Sequence, residues 1–114
     1  MRVIISGGRF FEDYKVLLEA VVESQFEIST VVSGGASGVD ALGKRYAVEM
    51  NKKLDVYEAN WKVHGRGAGP VRNKSMAENA DALIAIWDGR SRGTKNMIDT
   101  AVKIGLRMYV KRVG

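Results

Sequence analysis

Thr30-Val31-Val32-Ser33-Gly34-Gly35-Ala36-Ser37-Gly38-Val39-Asp40 is the stretch that decides how the chain is read. A short apolar, β-branched run gives way to three glycines and two serines. These lead straight into an amphipathic segment that carries Leu42 and Tyr46 inward and runs to about residue 50. A strand that ends in a glycine-rich turn and opens a helix is the repeating unit of parallel α/β architecture. Ser37 and Asp40 have capping-box spacing, which predicts a helix beginning just after Ser37.

Outward from this unit the same alternation recurs. Strands are predicted over residues 3–6, 30–33, 54–58, 83–87 and 108–110. The first, second and fourth are almost wholly apolar, as strands covered on both faces are. The last runs into Lys111-Arg112 and is expected near an edge. Helices are predicted over residues 14–25, with Asp13 as cap and Leu17, Leu18, Val21 and Val22 on one stripe; from Ser37 to about 50; from Pro70, with Met76 and Ala77 inward; and after a Thr94 cap to Gly105, with Met97, Ile98, Ala101 and Val102 inward. The βαβαβαβαβ order with right-handed crossovers gives a single three-layer α/β domain over residues 1–114. It is Rossmann-like, with an open parallel five-stranded sheet and helices on both faces. In such sheets the ligand crevice lies outside the C-terminal ends of the strands.

Composition narrows the function classes. With 46% hydrophobic residues the chain can bury a core. The absence of cysteine excludes disulfides, thiolate metal sites and a cysteine nucleophile. The apolar run after Met1 meets a glycine pair too soon for a signal peptide, and nothing approaches the length of a membrane span. A cytoplasmic protein without membrane contact is expected. The net charge of +5 favours anionic partners, either nucleic acid or a nucleotide phosphate, although a modest excess also serves solubility alone.

Four loops follow strands and precede helices. The first carries Gly7, Gly8 and Arg9: glycines that let backbone amides approach a ligand, and a guanidinium fork for phosphate or carboxylate. Phe10 and Phe11 follow, each read more readily as core than as a stacking ring. The second offers Gly34, Gly35, Ala36, Ser37 and Gly38 at the positive end of a helix, an anion site in principle. It is neither G-x-G-x-x-G nor a P-loop. Asp40 is read as cap or as ribose ligand. The third loop is long and holds Trp61, which either covers a base or packs on the sheet, and His64, read as a surface residue. Arg72 and Asn73 are placed in the first turn of the helix that follows; an arginine there implies an anionic partner or a surface pair with Glu78 or Glu12. The fourth, with Asp88, Gly89, Arg90, Ser91, Arg92, Gly93 and Thr94, repeats the design with added charge.

Taken together, strand-Ser-Gly-Gly-Arg, Ser-Gly-Gly-Ala-Ser-Gly-Val-Asp, Asn-Trp…His-Gly-Arg-Gly-Ala-Gly-Pro-Val-Arg-Asn and Gly-Arg-Ser-Arg-Gly-Thr-Lys-Asn-Met resemble the YspA-like branch of the SLOG superfamily. The resemblance implies a Rossmannoid fold that binds nucleotides or nucleotide-derived ligands of the NAD, ADP-ribose or nucleoside-phosphate type. Wider relatives include the Lonely Guy phosphoribohydrolases and the DNA-processing protein DprA. Arg72 matches the arginine that precedes the phosphate-binding loop of the former. Their Pro-Gly-Gly-x-Gly-Thr-x-x-Glu signature aligns on Gly93-Thr94 with Met97 in place of the glutamate, and a thioether neither exchanges a proton nor stabilises an oxocarbenium ion by charge. Asp99 points elsewhere on the helix. The expected function is binding by a sensor or sequestering module. The alternatives are N-glycosidic hydrolysis, with Asp40, Asp88 and Glu12 as candidate acids, and nucleic-acid binding. No cofactor or metal is expected; a homo-oligomer, dimer or larger, is.

Overall fold

The structure, a computed structural model, describes residues 1–114. Its strands are β1 (Arg2–Gly7), β2 (Thr30–Ser33), β3 (Lys53–Val56), β4 (Ala82–Trp87) and β5 (Arg107–Arg112), and its helices are α1 (Tyr14–Ser24), α2 (Val39–Glu49), α3 (Trp61–His64), α4 (Ala68–Glu78) and α5 (Arg92–Ile104). All pair in parallel, in the order β3-β2-β1-β4-β5. The chain moves outward from β1 in one direction, then restarts at β4 on the other side of β1. This reversal splits the loops beyond β1 and β4 and opens a crevice between them.

Alternate residues of the central strands feed two cores. Val3, Ile5, Val31, Ile84 and Ile86 pack with α1 and α2 on one face, through Leu17, Ala20, Val39, Tyr46 and Ala47. Ile4, Val32, Leu83 and Ala85 pack with α4 and α5 on the other, through Met76, Ala77, Met97 and Ala101. The continuous apolar runs therefore mark strands covered on both sides. The edge position expected of the last strand holds; the strand itself extends beyond 108–110, and β3 begins and ends earlier than 54–58. Lys111 on β5 is tied to α1 by a 2.7 Å contact with Glu23, which also accepts from the Tyr109 hydroxyl at 2.6 Å.

Several local expectations are corrected. The capping box of α2 does not form: Gly38 is the cap residue, and the Ser37 hydroxyl instead donates to the Arg9 carbonyl at 3.2 Å. Thr94 is not the cap of α5. Ser91 accepts from the Thr94 amide, and Thr94 is buried in the first turn. The third loop is largely helical, since α3 is capped by Asn60 and a 3₁₀ turn over Gly65–Gly67 joins it to α4. Pro70 is therefore the third residue of α4, where its missing amide hydrogen still costs no helix bond. Arg72 and Asn73 fall in the second turn rather than the first, away from the dipole penalty. Val22 and Val102 are exposed, because each sits at the solvent margin of its helix stripe. Asp13 caps α1 as read, and Gly105 closes α5 in the left-handed conformation at φ 91°. No helix is long and apolar enough to cross a membrane.

Candidate functional site

A cleft of about 940 Å³ lies at the reversal, between the loops that follow β1 and β4. Of the residues singled out from sequence, Gly7, Gly8, Arg9, Ala36, Asp40, Trp61, Arg72, Asn73, Asp88, Ser91, Arg92, Gly93 and Thr94 line it. Gly34, Gly35 and Ser37 line a smaller neighbouring cleft of about 510 Å³ that shares Arg9, Ala36, Trp61 and Arg72 with the first. Gly38 and Gly89 line neither. Gly38 lets the first loop cross the start of α2: a Cβ there would strike the backbone of Gly8 and Arg9. Gly89 leaves room for the Arg112 guanidinium.

Loop two is braced from within. The Val39 amide donates to the Gly8 carbonyl at 3.1 Å, the Gly35 amide to Ser33 Oγ at 3.2 Å, and the Ala36 amide to Asp40 Oδ2 at 3.2 Å. Three amides of this stretch thus already have acceptors within the protein. Asp40 is neither cap nor exposed ligand but a buried carboxylate, 8% exposed, that holds the loop. Burial pushes its carboxyl above the usual range, against the pull of the Ala36 amide and of the Arg72 and Arg9 charges.

Arg72 crosses from α4 to reach the same loop. It donates to the Gly34 carbonyl at 2.6 Å and to Asn73 Oδ1 at 3.0 Å. Its neighbour is Asp40, not Glu78 or Glu12. A Cβ on residue 34 would lie 2.6 Å from Arg72 Nη1 and 2.9 Å from Asp40 Oδ2, so only glycine leaves the guanidinium its seat. Burial lowers the Arg72 pKa; Asp40 opposes that and the like charge of Arg9 adds to it. Asn73, buried, donates to Asn96 Oδ1 at 2.9 Å and so joins α4 to α5 beneath the cleft.

On the opposite wall Asp88 Oδ1 accepts from the amides of Arg90 at 2.7 Å and Ser91 at 2.8 Å, a turn that fixes the start of α5. The Ser91 and Arg90 amides hold its carboxyl below the usual range. Ser91 caps α5, leaving the helix N-terminus facing the cleft. Arg9, Arg66, Arg72, Arg90 and Arg92 all line the cleft against only Asp40 and Asp88, and none of the five is in an ion pair. Trp61 is 54% exposed and Phe10 is 93% exposed at the mouth; the core role expected of Phe10 is not found, whereas Phe11 packs on the first core. His64 is exposed and lines neither cleft. No group of three or more His, Asp or Glu side chains is placed to hold a metal.

The sequence reading missed Arg66, Asn96 and Glu58. Arg66 was hidden in a glycine-rich run read as loop. Asn96 stands in the fourth motif with nothing in the sequence to single out its side chain, and Glu58 falls at the end of a predicted strand. Met97, where the hydrolase relatives keep a glutamate, is fully buried in the second core and lines neither cleft. Asp99 is on the surface, paired with Lys95.

The comparisons with known proteins agree with this architecture. Gene 61 protein of Mycobacterium phage D29 is 33% identical over 92% of this chain and 91% of its own. The structure of DNA processing protein A (DprA) from Streptococcus pneumoniae superposes with a TM-score of 0.75 over 96% of this chain, at 17% identity. The chain spans about half of that protein, 49% of its length, so the likeness speaks for the fold. The profile of the YspA, cpYpsA-related SLOG family matches residues 1–64, more than half of the chain. By that match and the phage relative, the chain belongs to the YspA, cpYpsA-related SLOG family.

Proposed function

We propose that this protein binds a nucleotide or nucleotide-derived ligand, of the NAD, ADP-ribose or nucleoside-phosphate type, as a sensor or sequestering module. The observation that carries the reading is the cleft at the β1/β4 reversal, lined by five arginines, none of them in an ion pair, and by the N-terminal residues of α5. Guanidinium forks and helix N-termini both favour phosphate. Trp61 and Phe10, exposed at the rim, offer flat apolar surface to a base. Titration calorimetry and thermal melting with AMP, ADP-ribose, NAD and cyclic nucleotides test this. A bound ligand at about a hundred times its Kd adds about 2.7 kcal/mol of stability; no heat and an unmoved Tm with every compound would overturn it.

One observation favours a second reading, cleavage of an N-glycosidic bond by water. Asp40 and Asp88 line the same cleft, with the carboxyl of the first held above and that of the second below the usual range, a divergence that separates acid from base roles. Release of free base from nucleoside monophosphates is its readout, and full turnover in both Asp40→Asn and Asp88→Asn would end it. Nucleic-acid binding, a further alternative, rests on the net charge of +5 and the likeness to DprA. A gel shift that vanishes at moderate salt would mark it as nonspecific. A cytoplasmic setting and a homo-oligomer belong to the same reading, and native mass spectrometry reports subunit count and any co-purified ligand together.

A further inference from the structure

The smaller cleft contains a carboxylate that neither the fold nor the phosphate-binding reading uses. Glu58 lies just beyond β3, where the Tyr57 amide still donates to the Ser33 carbonyl at 2.8 Å, so its backbone is fixed against the end of β2. It makes no ion pair and no side-chain hydrogen bond, although arginines stand nearby in the same cleft. Its side chain runs along Gly35: a Cβ there would meet Glu58 Cγ at 3.5 Å. Gly35, at φ 73°, presents bare backbone to that cleft.

The unit β2-α2-β3 therefore has a recognisable order of chemistry. In dinucleotide-binding βαβ units a glycine turn opens the helix, and an acid about twenty residues on, at the end of the next strand, accepts from a ribose hydroxyl. Here Gly35 and Gly38 are three apart, like the second and third glycines of that arrangement, with Ser33 in the place of the first. Glu58 follows Gly38 at roughly that distance and stands two residues beyond the end of the adjacent strand, β3. An ionised carboxylate is acceptor-only, with two oxygens. It matches the vicinal 2′- and 3′-hydroxyls of a ribose and repels a 2′-phosphate.

We propose that Glu58 is the ribose-reading, specificity-determining residue of this site. It selects ligands with a free 2′,3′-diol over their 2′-phosphorylated counterparts. Because Arg9, Ala36, Trp61 and Arg72 wall both clefts, one elongated ligand fills the two. Its ribose sits at Glu58, its 5′-phosphate or diphosphate passes the shared arginines, and its remaining group enters the larger cleft. This inference rests on the nucleotide-binding reading and narrows it.

The test is calorimetric titration of the whole chain, and of Glu58→Gln and Glu58→Arg, with AMP, ADP-ribose, 2′-deoxy-AMP and adenosine 2′,5′-bisphosphate. Glu58 is exposed, and an unchanged Tm of each variant without ligand verifies its fold. The native chain is expected to bind AMP at least about tenfold more tightly than the 2′,5′-bisphosphate, since like charges oppose one another. It should also lose several-fold for 2′-deoxy-AMP. Glu58→Gln should reduce the discrimination, and Glu58→Arg should reverse it while ADP-ribose still binds. A ratio unchanged within twofold in both variants, or a native preference for the 2′-phosphate, overturns the role of Glu58 and leaves the nucleotide reading intact. Failure of every compound to bind the native chain overturns both.

Discussion

Arg72 concentrates the chemistry of the site in one side chain. Its guanidinium is half-buried, its fork is split between the Gly34 carbonyl and Asn73 Oδ1, and its remaining donors face the shared wall of the two clefts. Lysine cannot reproduce that fork. Arg72→Lys should therefore cost about 1.5–3 kcal/mol in urea denaturation, the range for hydrogen bonds to charged groups, and weaken ligand binding as well; native-like stability together with native-like affinity would contradict the assignment. Asp40 gives a pH signature. Its folded carboxyl titrates above the unfolded one because burial disfavours the charge. In strong acid both are protonated and carry no penalty. As pH rises from the ordinary aspartate range through the raised folded value, the unfolded chain releases its proton first and stability falls; the penalty persists above that window. Asp40→Asn removes this loss, so the variant should gain on the native chain as pH rises from the ordinary aspartate range through the raised folded value, as read from urea midpoints. A stability difference independent of pH would show that Asp40 is not penalised by burial.

At the scale of elements, the side-chain caps of α1 and α5 differ in what they face. Asp13 caps α1 and lines neither cleft, whereas Ser91 caps α5 and lines the larger one. Replacement of either by alanine should cost about 1 kcal/mol, but only Ser91→Ala should also lower ligand affinity; an equal loss from Asp13→Ala would mean that the cleft responds to global stability and not to its own wall. The same contrast explains what was legible in the sequence. The strands and the two-sided burial were readable because Val3, Ile4, Ile5, Val31, Val32 and Ile84 form apolar runs that no solvated strand tolerates. The Asp13 cap and the Gly105 stop were readable because each acts locally. Helix starts beside the cleft were not. Ser37 was drawn away from its cap by the Arg9 carbonyl, and Thr94 was displaced by Ser91, in both cases through contacts created when loops meet. Arg72, Trp61 and Gly93 were found as site candidates from their place beyond strand ends. The burial of Asp40 depends on Arg72 crossing from α4, and the place of Glu58 beside Gly35 on β2 and β3 lying side by side, neither of which local spacing reveals.

For the whole molecule, the order β3-β2-β1-β4-β5 sets the location of the cleft: it divides the loops beyond β1 and β4, and arginines in no ion pair line the gap. A net charge of +5 and an open cleft imply that binding weakens with salt, because screening acts over about 10 Å at 0.1 M. An affinity unchanged between about 0.05 M and about 0.5 M salt would place the ligand's phosphates away from these arginines. The proposed seat of a phosphate-bearing nucleotide in this cleft is tested by titration calorimetry of the native chain and Arg72→Ala with AMP, ADP-ribose and NAD. Saturable binding of at least one compound is expected, one per chain, weakened about tenfold or more by Arg72→Ala. No measurable heat from any of the three, or tight binding that Arg72→Ala leaves untouched, would contradict it.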